Sequence, residues 1–185
     1  MHETDTALLA AAKQEIGTGQ AHAFEQILYK YERLIHHITR RYLRHAEDAL
    51  DASQEAVIRI YRGLGQVVLP PEGTLKSWVC TVTARVCLDA LRKRRIETVE
   101  MVDDLHIGQT TESAEESAAA NERVREVAAA IDALPNDHRM VVILRDMQGL
   151  SYDALAETLG ISVGTVKSRL SRALAAVKKR LDGGQ

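Results

Sequence analysis

A cluster of positive charge lies near the C-terminal end of the chain, beginning in the segment GISVGTVKSRLSRA at residues 160–173. From Ser162 to Asp182 there are six basic residues and one acidic residue, whereas the whole chain has a formal net charge of −2. A focused positive patch in a chain that is acidic overall favours a polyanionic partner such as nucleic acid. A merely solvated basic helix is the alternative, but it would not explain the glycine turn that precedes the patch.

The polar side chains of this segment are of the types that contact DNA. In a helix, residues three and four apart share a face, so the segment has an apolar stripe and an opposite polar side. Arginine pairs with guanine in the major groove, and serine or threonine bonds phosphates or base edges. The side opposite the stripe holds Thr165, Ser168 and Arg172, while Arg169 lies on its flank and Lys167 borders the stripe. We therefore expect a DNA-reading helix.

A second group of charged residues lies in the first half of the chain. Asp48, Asp51 and Glu55 are spaced so that one side of a helix carries all three carboxylates. Paired carboxylates can act as general acid and base, but no nucleophile, metal triad or phosphate-binding loop accompanies them. An intrahelical pair of Glu55 with Arg59 explains part of the pattern. We favour an ionic docking face for another protein.

The cysteines and histidines do not predict a metal site or a redox site. Cys80 and Cys87 are seven residues apart, which is about 10 Å of rise if they share a helix, too far for a disulfide. Adjacent histidines such as His36 and His37 point in different directions, and no His-Glu-x-x-His spacing occurs. We expect reduced packing cysteines, no cofactor and no enzymatic activity.

Three helices are predicted to form the first domain and position the acidic face. The first begins at Phe24 and carries apolar residues at spacings of three and four, the second runs from Glu47 to Leu64, and the third runs from Leu75 to Arg95. The predicted core residues of the second helix are Leu50, Val57, Ile60, Tyr61 and Leu64. Those of the third are Leu75, Trp78, Val79, Val82, Val86 and Leu91, and this helix ends in RKRR.

A second domain is predicted beyond an acidic linker. The domain boundaries are 1–96, 97–117 for the linker, and 118–185. In the second domain, Pro135 opens a helix, Gly149 closes it and Ser151 caps the next. A three-residue turn that starts with Gly160 then leads into the basic segment, which completes a helix-turn-helix. The expected core stripe of the last helix is Val163, Val166, Leu170, Leu174, Val177 and Leu181. The fold class is all-α, with two small helical domains.

Three stretches carry a resemblance to a known family. HAEDALDASQEAVIRIYRGL, LKSWVCTVTARVCLDALRKRR and LPNDHRMVVILRDMQGLSYDALAETLGISVGTVKSRLSRAL follow one another in the chain. In this order they resemble the extracytoplasmic-function sigma factors, the small two-domain sigma subunits of bacterial RNA polymerase. The resemblance covers about residues 20 to 95 and 120 to 182.

The resemblance implies a role for each region. The core-polymerase contacts would be Asp48, Asp51, Gln54 and Glu55. The loop from Val67 to Thr74 and the helix after it would capture the unstacked strand of the promoter minus-10 element, with contacts at Lys76, Trp78, Arg85, Arg92, Lys93 and Arg94. The duplex minus-35 element would be read by Thr165, Lys167, Ser168, Arg169 and Arg172. Catalysis would belong to the polymerase.

The partners implied are the polymerase core, promoter DNA and an anti-sigma factor, and the expected location is the cytoplasm. No apolar leader or membrane-spanning run is visible in the sequence. Two alternatives are a sigma-like decoy that only binds an anti-sigma factor and a stand-alone helix-turn-helix regulator. A decoy would not need the basic residues of both DNA-facing helices, and a stand-alone regulator would leave the acidic face unexplained.

Overall fold

The computed structural model describes residues 2–43, 45–69, 74–98, 118–147 and 149–182. Across these ranges the regular structure is helical and contains no strand, which confirms the all-α prediction. The chain divides into two compact units, Met1–Asp103 and Asp104–Gln185. None of the helices in the described ranges has the length and apolar character needed to span a bilayer.

In its described residues the first unit contains four helices. They are α1 (His2–Glu15), α2 (His22–Tyr42), α3 (Ala46–Gly63) and α4 (Leu75–Thr98). Helices α2, α3 and α4 pack against one another, and α1 packs mainly on α2. The three predicted helices are present at nearly the predicted positions, whereas α1 was not predicted.

Helix α2 buries the stripe that its apolar spacing predicts. Ile27, Ile35 and Ile38 are each no more than 2% exposed. The stripe also includes one polar contact, because the hydroxyls of Thr39 and Ser53 lie 2.8 Å apart in the buried interface with α3. A buried hydroxyl pair of this kind satisfies both groups and fixes the register of the two helices.

Helix α3 packs through a side that only partly matches the predicted one, since Ile60 and Leu64 are buried as predicted. Its buried residues are Ala49, Ala52, Ser53, Ala56 and Ile60. Leu50 and Tyr61, both expected in the core, are 53% and 49% exposed, so that prediction was wrong. The reason is that small side chains let neighbouring helices approach closely, and this places the larger apolar residues of α3 on the surface.

Helix α1 is attached to the rest of the first unit by polar contacts at both ends. Asp5 accepts a hydrogen bond from the Tyr31 hydroxyl at 2.8 Å and also pairs with Lys30. Burial, and then the hydrogen bond to Asp5, raise the pKa of Tyr31. Near the other end, Lys13 Nζ donates to the carbonyl of Val67 at 2.6 Å. These contacts hold α1 against α2 and against the segment that follows α3.

Helix α4 begins with a reciprocal cap and then enters the core. The Thr74 backbone N–H donates to Ser77 Oγ at 3.1 Å, and the Ser77 N–H donates to Thr74 Oγ1 at 3.0 Å. Such reciprocal bonds satisfy the free donors at a helix start. Leu75 and Val79 are fully buried as predicted, whereas Trp78 is half-buried.

The described part of the second unit contains four α-helices, of which the last two form the helix-turn-helix. They are α5 (Ala118–Asp132), α6 (Asn136–Val142), α7 (Tyr152–Leu159) and α8 (Val163–Asp182), and a π-helical segment, Ile143–Met147, continues α6. Pro135 immediately precedes α6 as its N-cap. Gly149, with φ +76°, follows the π-helical segment, in agreement with the prediction that the helix ends at this glycine.

Two predicted features lie wholly or partly outside the described residues. Of the acidic linker at 97–117, only the start is described, where α4 continues to Thr98. In the predicted minus-10 loop, residues 70–73 are outside the described ranges, as is the side chain of Arg94.

Candidate nucleic-acid and protein interfaces

Three residues that act on the backbone delimit the helix-turn-helix: Ser151 precedes α7, and Gly160 and Ser162 lie in the turn between α7 and α8. Ser151 Oγ accepts from the Ala154 N–H at 3.1 Å and caps α7 as predicted. Gly160 ends α7 in the left-handed conformation, with φ +64°, which a side chain would strain. Ser162 Oγ then accepts from the Thr165 N–H at 3.1 Å and caps the start of α8. These local bonds set the angle at which α8 leaves α7.

Helix α8 buries one side; of the residues predicted to contact DNA, Lys167, Ser168 and Arg172 are exposed and Thr165 and Arg169 are half-buried. Val166 and Leu170 lie in the core, in agreement with the predicted stripe, and Ala173 is fully buried between them and the C-terminal turns. Leu174 was expected in that stripe but is 46% exposed, so this prediction was wrong. Ala173 is buried in place of Leu174 because α8 packs closely against α6, where a small side chain fits.

Four of the five predicted minus-35 residues lie together in one shallow groove of about 530 Å³. The groove is lined by residues 135–138 on one side and by Thr165, Ser168, Arg169 and Arg172 on the other. Ser168 Oγ donates to the Thr165 carbonyl at 3.0 Å, which holds this hydroxyl close to the helix. We refer to this depression as the α6–α8 groove.

Lys167, the fifth predicted residue, does not line the α6–α8 groove. Its Nζ lies 5.6 Å from the centroid of the Tyr152 ring, and the Arg145 guanidinium lies 4.6 Å from the same centroid. Cations at these distances are attracted to the face of the ring. Lys167 therefore contributes to a second basic surface, formed with the start of α7.

An ion pair connects the two walls of the α6–α8 groove. Arg169 Nη2 lies 2.8 Å from Asp137 Oδ2. The Arg169 side chain is 26% exposed and the Asp137 side chain is 63% exposed. The sequence did not reveal this pair, because its members are far apart in the chain.

The predicted acidic face lies along α3. Asp51 and Gln54 are exposed, and Asp48 and Glu55 are half-buried. Glu55 accepts a hydrogen bond from Arg59 Nε at 2.7 Å, so the intrahelical pair considered from the sequence is present. Arg59 Nη1 also donates to Asp89 of α4 at 2.7 Å. The hydrogen bond to Asp89, followed by the one to Glu55, raises the pKa of Arg59.

The exposed side of α3 carries three large apolar residues, two of which, Leu50 and Tyr61, were predicted to lie in the core. Leu50, Ile58 and Tyr61 are 53%, 43% and 49% exposed and alternate with Asp51 and Gln54. We call these five residues the α3 docking face. Apolar and polar groups together are typical of a surface that another protein covers. The small-residue side of α3 was the sequence signal that could have indicated it.

The predicted minus-10 residues lie on α4. The exposed cations are Lys76, Arg85, Arg92 and Lys93. Trp78 is half-buried beside Gly63, where a Cβ atom would come within 3.0 Å of Cζ2 of its ring. Asp89, already bonded to Arg59, lies 3.9 Å from Arg92.

The two cysteines are free and buried, in agreement with the sequence prediction. Burial raises the pKa of both thiols to about 12. Such thiols stay protonated at neutral pH and react slowly. In the described part of the chain, no cluster of His, Cys, Asp and Glu side chains could hold a metal ion.

Comparisons with known proteins match both units. The family model described as Sigma-70 region 2 matches residues 28–96, and the model described as Sigma-70, region 4 matches residues 124–177. The chain is 33% identical over 180 residues to the ECF RNA polymerase sigma factor SigM of Mycobacterium tuberculosis, covering 97% of this chain and 86% of that protein. It is 30% identical to the RNA polymerase sigma-H factor of Pseudomonas aeruginosa, covering 91% of each.

The fold is also similar to that of a solved structure. This is the sigma factor RpoE of Bartonella quintana, solved in complex with the anti-sigma factor NepR. The TM-score is 0.72 at 22% identity, and the match covers 86% of this chain and 96% of that one.

Proposed function

Because the chain belongs to the extracytoplasmic-function sigma factors of bacterial RNA polymerase, we propose that its two units divide promoter recognition between them. The protein is an RNA polymerase sigma factor. In the proposed division, residues 1–96 bind the polymerase core and the minus-10 element, and residues 118–185 bind the minus-35 element. Residues 97–117 connect them and carry acidic groups that could occupy a nucleic-acid channel of the polymerase.

The α3 docking face is proposed to contact the polymerase core. Leu50, Ile58 and Tyr61 supply apolar area, and Asp51 and Gln54 supply polar groups that fix register. Asp48 and Glu55 lie at its acidic edge. Since Glu55 is already paired with Arg59, Asp51 is the more accessible of these carboxylates for a basic partner.

Helix α4 and the segment before it are proposed to hold the melted minus-10 strand. A single strand needs cations that follow its backbone and surfaces that accept unstacked bases. The exposed cations of α4, namely Lys76, Arg85, Arg92 and Lys93, meet the first need. Arg94 is assigned to the same group from its position in α4. Trp78 is half-buried, so it offers only one edge to a base.

The α6–α8 groove is proposed to lie against the minus-35 duplex. Arg172 and Ser168 are its exposed residues from α8, and Thr165 stands near the start of the helix. In helix-turn-helix proteins, residues of the N-terminal part of the second helix contact base edges. Lys167, on the second basic surface, is proposed to contact phosphate rather than a base.

The remaining partners follow from the same family assignment. The relative from Bartonella quintana was solved with an anti-sigma factor, and we propose a partner of that kind for this chain. We assign no reaction to the chain, because RNA synthesis is carried out by the polymerase. The site of action is then the cytoplasm, where the polymerase transcribes.

The observation that carries this proposal is that one chain matches both sigma regions, in order, along most of its length. Run-off transcription with sigma-free core polymerase over a pool of genomic fragments tests it. With the chain added, we expect new discrete start sites that share two upstream sequence blocks. Core binding without transcripts would favour a decoy, and absence of core binding would refute the proposal.

A further inference from the structure

The α6–α8 groove contains an acidic side chain at the surface proposed to meet DNA. Asp137 lines the groove together with Arg169 and Arg172, and its carboxylate is 2.8 Å from the Arg169 guanidinium. The formal charge of these three residues is therefore +1 rather than the +2 that the two arginines would give. An acid here reduces the attraction for phosphate, although the groove is otherwise suited to DNA.

The exposure of the two partners indicates how the pair meets an approaching duplex. The Asp137 side chain is 63% exposed, and the Arg169 side chain is 26% exposed. The Asp137 side chain is thus the more exposed member of the pair and the Arg169 side chain the less exposed one. A phosphate that enters the groove meets the carboxylate first. If the acid only positioned the arginine for DNA, the Asp137 side chain would be the less exposed of the two and the Arg169 side chain the more exposed.

We propose that Asp137 is a competing anion that holds Arg169 until a DNA phosphate replaces it, and that it thereby limits binding to non-promoter DNA. This inference rests on the proposed DNA-binding role of α8. The exchange is feasible because an exposed ion pair is weak and opens readily. Only a duplex that gains enough contacts elsewhere in the groove displaces Asp137, so the acid increases discrimination at the expense of affinity.

The test measures binding of the full chain to a short fluorescent duplex of random sequence over a range of salt concentrations. Asp137→Asn removes the charge and keeps the shape, and Asp137→Glu is the matched control that keeps the charge. Arg169→Gln and the double variant complete a cycle that isolates the pair. Because Asp137 is exposed, we expect all four variants to keep the wild-type unfolding temperature within a few degrees.

D137N should bind the random duplex more tightly than the wild type, by about threefold or more at about 50 mM salt. One additional phosphate contact adds about −0.9 to the slope of log K against log salt, so the advantage should shrink about threefold between about 50 and 200 mM salt. D137E should bind like the wild type. The gain should disappear in the double variant with Arg169→Gln, because Arg169 is the group that is released.

Three results would overturn the inference. The first is weaker binding by D137N, which would make Asp137 a support for Arg169. The second is unchanged binding, and the third is a gain that persists without Arg169. These outcomes are separate from failure of the proposed function, which would appear as absence of run-off transcripts with the wild-type chain and core polymerase.

Discussion

Replacing Leu50 with alanine should weaken binding to core polymerase without unfolding the first unit. Leu50 is 53% exposed on α3, so about half of its side chain is free to be covered by a partner. Complete burial of a leucine side chain is worth about 1.5–3 kcal/mol, and burial of the exposed half is worth roughly 1 kcal/mol. Since tenfold in affinity corresponds to about 1.4 kcal/mol, L50A should raise the Kd about fivefold.

The assay is a titration of fluorescently labelled core polymerase with the full chain. Ile60→Val is the matched control, because Ile60 is in the same helix but only 2% exposed. This variant should cost about 0.5–1.5 kcal/mol in the free energy of unfolding and leave the Kd unchanged. L50A, in contrast, should leave the unfolding transition nearly unchanged. An unchanged Kd for L50A, or an equal rise for both variants, would refute the assignment of the α3 docking face.

Three further predictions concern Arg172, the carboxylates of α3 and the buried cysteines. Arg172→Ala should weaken dependence on the minus-35 block about fivefold or more, which corresponds to about 1–3 kcal/mol for a lost base contact, and should leave polymerase affinity unchanged. Loss of polymerase binding instead would reject this role. Asp51→Lys combined with Glu55→Lys should lower the affinity for core polymerase and leave dependence on the minus-35 block unchanged. Unchanged affinity for the core would reject the ionic contribution of the α3 docking face and its acidic edge. Because burial raises the folded-state pKa of Cys80 and Cys87 to about 12 from 9.0, the contribution of these two thiols to the free energy of unfolding should stay constant below about pH 9 and fall as pH rises towards 12. Replacing both cysteines with alanine should reduce this fall in alkaline denaturation experiments, and an identical pH profile would contradict the prediction.

Local signals in the sequence were sufficient to predict the helix-turn-helix. Ser151, Gly160 and Ser162 act on backbone groups within a few residues of themselves, so their effect can be read without knowledge of the fold. The apolar stripe of α2 was predicted for a similar reason, since it contacts helices on one side only. The π-helical continuation of α6 has no such local signal, because its apolar spacing is compatible with an ordinary helix.

The side of α3 that packs in the core could be predicted only in part from hydrophobicity: Ile60 and Leu64 are buried as predicted, whereas Leu50 and Tyr61 are not. Leu50 and Tyr61 are larger and more apolar than Ala52 and Ala56, but the alanines face the core. Small residues allow close helix packing, and a surface that binds another protein retains large apolar residues. A pattern that counts apolar residues cannot separate a core from a docking face. The pair of Asp137 with Arg169 was equally inaccessible, because only the folded chain places α6 beside α8.

Site-specific crosslinking within a promoter complex tests directly whether the two units divide promoter recognition between them. A photo-reactive side chain would replace either Arg92 of α4 or Arg172 of α8, and each variant would be assembled with core polymerase on a promoter recovered by run-off transcription. The account predicts crosslinks from position 172 to the upstream sequence block and from position 92 to the non-template strand of the downstream block. Crosslinks from both positions to the same block, or from position 92 to duplex DNA only, would contradict the division of promoter recognition between the two units.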